Sequence, residues 1–159
     1  MMKENNYNKG NSMIIFTTNI KKLEYLITLF FNFGVKNKNI ISYFIFLSEV
    51  IHLNKYGKPI CADDYYIDNG KIYGVNICKI IDNYNWSYKH PYIDENCFSE
   101  SNIEIIKDII ENKKQINLRN YNIDLNKYNG KIDWETCIIN NDILEDLNGL
   151  GNLTKNIML

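Results

Sequence analysis

His52, a histidine on an otherwise apolar run, is the obvious candidate for chemistry in this chain. It lies in the run FIFLSEVIHLNKYGKPI, three residues after Glu49. A histidine one helical turn from a carboxylate can serve as a base, or the two can share a hydrogen bond. Paired with Cys61 or Cys78, His52 would make a nucleophile and base. The spacing identifies no third group to orient such a pair, and free cysteines most often behave as small buried hydrophobes. The preferred reading is a histidine at the core edge, hydrogen-bonded to Glu49. Glu24, Asp63 and Asp64 carry the oxygens a hard cation needs. Adjacent carboxylates before an extended segment more often form a turn and strand lead-in. The four cysteines, Cys61, Cys78, Cys97 and Cys137, form no CxxC pair and show no zinc-ligand spacing. From the residues we therefore expect no catalytic machinery, no metal and no cofactor.

Aromatic side chains offer a second kind of chemistry, that of recognition. With 12 tyrosines, 7 phenylalanines and 2 tryptophans, the chain is rich in them. Tyrosine gives a large, rigid contact at low entropic cost. Tyr43, Phe44 and Phe46 read as core, while the 84–92 stretch is balanced between a recognition surface and AT-rich codon drift. Tyr65, Tyr73, Trp86 and Tyr88 are the candidate partner-binding residues. Nucleic acid is a poor fit. Lys36, Lys38, Lys55 and Lys58 give phosphate contacts at best, Arg119 is the sole arginine, and the net charge is −1. The abundance of Lys, Asn, Ile and Tyr reflects AT-rich codons before it reflects a binding surface.

These residues need a scaffold. A chain of 159 residues with 45% apolar content supports one domain with a sizeable core. Residues 1–12 are polar and Asn-rich, and are expected to be a disordered tail; 13–159 are expected to be a single domain. Nothing at the N-terminus reads as a signal peptide. Glu49 and His52 interrupt the best membrane candidate, so a reduced, cytoplasmic protein is expected.

Leu23, Leu26, Ile27 and Phe30 share one face of a first helix over about 20–33, capped by Thr18 or Asn19 and closed at Gly34. A second helix over about 39–56 is apolar nearly all round, with a polar seam of Ser42, Glu49 and His52. Such a helix is central and packed on several sides. Gly57 and Pro59 stop it. Tyr65-Tyr66-Ile67 reads as extended, and Asn69-Gly70 followed by Lys71-Ile72-Tyr73 is the strongest hairpin signal. The periodicity of Val75, Ile77, Cys78, Ile80 and Ile81 competes with it. The favoured order is strand, tight turn at Asn69-Gly70, then a short helix ending near Asp82. Short strands are expected on either side of His90-Pro91. Ser99 to Asn112 is the clearest helix. Ser101 with Glu104 fits a capping box, Ser99 is the alternative cap, and Ile103, Ile106 and Ile110 form the inner face with Ile109 beside them. Residues 115–131 read as a loop, and 133–147 as one or two short helices. The fold class is α+β and predominantly α-helical. It has a central buried helix beside a small antiparallel sheet or hairpin, and four to six helices in all.

Taken together, His52-Leu53-Asn54-Lys55-Tyr56-Gly57-Lys58-Pro59-Ile60, then Asp63 and Tyr65, is similar to the HLxKYGxPI core of the Panacea domain, the SocA-like antitoxin domain often carried by phages and bacteria. Glu49 stands at the acidic position three residues before the histidine. Phe98-Ser99-Glu100-Ser101-Asn102 resembles the family's LSExD-like helix start. Order and spacing agree over about 20–112. The GPxP-like turn of the family is missing, because Gly70 is followed by Lys71-Ile72-Tyr73. The resemblance implies structural roles for Glu49, His52, Tyr56, Gly57, Pro59 and Asp63. It also implies an antitoxin that binds and neutralises a cognate protein toxin, with no enzymatic activity. Such a chain would work in the cytoplasm, that of the host if phage- or virus-encoded. The alternatives are a small cytosolic enzyme using His52 with a nearby acid or thiol, and a viral interaction factor that kept the scaffold alone.

Overall fold

A computed structural model describes residues 15–69, 71–83, 95–112, 130–132 and 134. Among these are four α-helices, a 3-10 turn at Glu95–Cys97 and one three-stranded antiparallel sheet. This is the predominantly helical α+β class expected.

Helix α1 spans Ile20–Asn32, and the Asn19 side chain caps it by accepting the Lys22 N–H at 3.0 Å. Gly34 follows with φ +89°, the left-handed conformation a helix exit favours. Helix α2 spans Lys38–Tyr56, capped by Asn37 at its start. It ends at Gly57, whose φ of +85° needs glycine and whose N–H donates to the Leu53 carbonyl. From Ile41 to Leu53 every side chain of α2 is buried. It is the axis of the molecule, as its all-round hydrophobicity predicts.

Strands β1 (Tyr65–Asp68) and β2 (Lys71–Gly74) form a hairpin, with Tyr65 opposite Gly74 and Asp68 opposite Lys71. Asn69 takes φ +51°, as the first position of a two-residue hairpin turn requires. The segment 71–74 is thus a strand, which the favoured sequence reading left out. Helix α3 (Val75–Asn83) starts directly after it. Strand β3 (Gly130–Ile132) pairs with the other edge of β1, giving the order β2-β1-β3. The expected loop over 115–131 is corrected at its end. Three residues carry too little alternation to announce a strand.

Helix α4 spans Glu100–Asn112. Its cap is the Ser99 alternative: Asn102 N–H donates to Ser99 Oγ at 3.2 Å, and Ser99 N–H to Asn102 Oδ1 at 3.3 Å. Its inner face is Asn102, Ile105, Ile106 and Ile109, while Ile103 is 44% exposed. The expected face missed this rotation because its first member is polar. Asn102 turns inward toward His52, and apolar periodicity cannot see an asparagine. The expected strands around His90-Pro91, the tail at 1–12 and most of 133–147 lie outside the described residues.

Candidate functional site

Glu49 and His52 sit one turn apart on α2, both fully buried, yet each is drawn to a different partner. Glu49 reaches the loop between α2 and β1. Its Oε1 accepts the N–H of Cys61 and Ala62, and its Oε2 accepts the Asp63 N–H at 3.3 Å and the Tyr65 hydroxyl. The same loop is held from its other side. Asn19 N–H donates to the Cys61 carbonyl at 2.8 Å, and Thr18 Oγ1 to the Ala62 carbonyl at 2.7 Å. Ala62 takes φ +61°, an expensive conformation for a residue with a Cβ. The loop keeps it because its amides and carbonyls are bound on both sides. Burial pushes the Glu49 carboxyl up to about 7, against the pull of its four donors. Burial also pushes the Tyr65 hydroxyl well up, so it stays a proton donor.

Asp63 works on the next joint. Its Oδ1 accepts from Asp64 N–H, Asn76 N–H and Asn76 Nδ2, and its Oδ2 accepts the Ile77 N–H at 3.0 Å. It therefore closes the N-terminus of α3, where helices leave N–H groups unpaired. Gly74 lies against it. A Cβ there would run into Asp63 Oδ2 and stand 2.5 Å from Ile77 Cδ1. The Gly74 N–H donates to Ser42 Oγ at 3.1 Å, tying β2 to the polar seam of α2.

His52 faces the other way, toward α4. Its Nδ1 lies 2.5 Å from the Lys58 carbonyl, and its Nε2 lies 2.8 Å from Ser101 Oγ and 3.1 Å from Asn102 Nδ2. The Tyr56 ring stands 4.9 Å away. The expected bond between His52 and Glu49 is corrected. Both residues have better partners, because backbone amides and carbonyls in the turn after α2 offer themselves at fixed positions. Burial lowers the His52 pKa from its usual 6.5, so the ring is neutral. Around it, Tyr56 and Lys55 converge on Glu104 Oε1 at 2.5 and 2.9 Å.

The candidate partner-binding residues divide. Tyr65 is corrected: it is 2% exposed, its hydroxyl serves Glu49, and its ring packs on Phe46 at 4.8 Å. Inward pleating of β1 decides this, since Tyr65 and Ile67 share the core face. Tyr73 is half-buried on the outer face and stacks on Tyr66 at 5.5 Å. Trp86 and Tyr88 lie outside the described residues. Tyr56 is exposed, Gly57 ends α2, and Pro59 is buried. Burial pushes the Cys61 and Cys78 thiols up, so neither is a ready thiolate. Among the described residues no group of His, Cys, Asp or Glu could hold a metal, and no helix is long and apolar enough to cross a membrane.

Sequence reasoning missed Ser101, Asn102 and Lys22 as partners of one network around His52. The only signal was the serine pair at the start of α4, which helix capping already accounted for. Comparison with protein-family models, with curated proteins and with solved structures gives no match.

Proposed function

We propose that this chain is an antitoxin-like binding protein, which neutralises a cognate protein toxin in the cytosol by direct contact. The observation that supports this reading is where the Panacea-like residues lie. Glu49 ties α2 to the loop before the hairpin, Asp63 ties that loop to α3, His52 ties α2 to α4, Gly57 ends α2 and Pro59 is buried just beyond it. A motif spent on joints describes a scaffold, and a scaffold leaves recognition to its surface. The stacked pair Tyr66 and Tyr73 on the outer face of the hairpin supplies such a surface. A second is the apolar groove between α1 and α4, about 460 Å³, lined by Leu29, Phe33, Phe98, Ile103, Ile106 and Ile110. Either would anchor an interface of about 800 Å² per partner.

The test is co-expression with a small toxic open reading frame adjacent to the gene. Growth rescue is the expected result. A toxin that binds nothing and is not neutralised would overturn the reading. Tyr73→Ala should weaken the complex by about 2 kcal/mol while leaving the thermal melt unchanged. Normal binding by a folded Tyr73→Ala protein would move the interface to the groove, where Ile103→Asp is the corresponding probe.

The enzyme alternative asked for an acid or a thiol at His52. Neither ring nitrogen meets one; they meet a carbonyl, a hydroxyl and an amide. The absent prolines after Gly70 favour the third reading, a viral factor that kept the scaffold. Capture of a host protein without any growth rescue would select it.

A further inference from the structure

The proton on His52 can be placed by its neighbours. The Lys58 carbonyl has no hydrogen to give, so Nδ1 must carry one and donate it. The ring is neutral, so Nε2 is bare. A second chain of bonds reaches the same answer independently. Lys22 Nζ donates to Asn102 Oδ1 at 2.8 Å, which fixes the amide so that its Nδ2 points at His52 Nε2. Nε2 is therefore an acceptor, and the shortest contact to it is Ser101 Oγ at 2.8 Å. Ser99 completes the relay. Its Oγ accepts the Asn102 N–H, which leaves its own hydrogen free to point at Ser101 Oγ, 3.0 Å away. Ser101 in turn directs its hydrogen at the imidazole. A carbonyl orients the histidine, the histidine faces a serine hydroxyl, and the serine is half-buried rather than sealed in the core.

We infer that Ser101 is a nucleophile with His52 as its base, competent to take the acyl group of a small activated ester. In that step Ser101 Oγ bonds to the ester carbonyl carbon, and its proton passes to His52 Nε2. The bond from that carbon to the leaving oxygen then breaks, and the leaving oxygen takes the proton from the imidazolium. Water then bonds to the acyl carbon and passes a proton to Nε2. The bond from that carbon to Ser101 Oγ breaks, Oγ takes the proton back from the imidazolium, and the acid leaves. The carbonyl oxygen that becomes negative would lie near the first turn of α4. There the N–H groups of Glu100 and Ser101 have no carbonyl earlier in the helix to bond, and the helix dipole is positive.

The experiment treats the full chain with a fluorophosphonate probe and maps the adduct by peptide mass. Attack at phosphorus forms the O–P bond and breaks P–F, and fluoride leaves. One adduct on Ser101 is expected, absent in Ser101→Ala and slower in Ser99→Ala. Burst hydrolysis of p-nitrophenyl acetate should exceed that of Ser101→Ala at least tenfold, since base assistance is worth about 100-fold or more. Substituting His52 risks the fold, so its role is read from the pH profile of the native protein. The titratable groups facing it are Lys22 on α1, Tyr56 at the end of α2, Lys58 after α2 and Glu104 on α4. Labelling should fall with acid along a single ionisation below 6.5. No adduct on Ser101, or a labelling rate indifferent to pH across that range, overturns the inference.

Discussion

At the level of single residues, two neighbours on α2 respond to pH in opposite senses. Glu49 has its folded pKa raised from 4.5 to about 7. Between those values the folded state holds the proton more tightly than the unfolded one. Stability therefore falls as pH rises from about 4.5 to about 7, by on the order of 3 kcal/mol. His52 has its pKa lowered, so the unfolded state binds the proton more tightly. Its contribution is whole above 6.5 and is lost as pH falls below it. Glu49→Gln should remove the first effect and expose the second: denaturation midpoints of the variant should rise with pH up to 6.5, where those of the parent are flatter. Glu49→Ala should cost about 3 kcal/mol or more, since each buried donor left unpaired costs about 1–3 kcal/mol. His52→Ala should cost about 1–3 kcal/mol in the same assay. The buried polar seam of Glu49 and His52 was legible in their spacing on an apolar helix. Their partners were not. Glu49 is satisfied mainly by backbone amides, and an amide has the same sequence signature at every residue.

Elements were legible in proportion to how local their signals are. Asn19, Gly34, Gly57 and Asn69 each announce an end or a turn by their own chemistry, and all four hold. What failed depended on distant partners. Strand β3 exists because β1 offers it an edge, and α4 is rotated because Asn102 answers to His52. The junction between β2 and α3 shows how tight these couplings are. Asp63→Ala should lower stability by about 2 kcal/mol, within the range for losing a helix cap. Hydrogen exchange should quicken first at Asn76 and Ile77, whose amides it binds. Gly74→Ala should give the same exchange pattern without touching the carboxylate, because its Cβ would displace Asp63 Oδ2. Slow exchange at Ile77 in either variant would refute the coupling.

For the molecule as a whole, α2 is the core, and the other elements are its cover. Ile51→Ala, fully buried in the C-terminal half of that helix, should cost about 2–5 kcal/mol and shift a single cooperative melt rather than create a second one. A chain cut after Asn83 would lack α4 and β3, and should show no cooperative melt at all. Synthesis imposes the same condition on every copy. The ribosome delivers α2 well before α4, and at about 5–20 residues per second the stretch from Tyr56 to Ile109 takes several seconds. During that interval an apolar helix with no solvent face waits without its lid. Newly made chains should then be chaperone clients, and soluble yield should track holdase supply and translation speed more closely than the equilibrium stability of the finished fold.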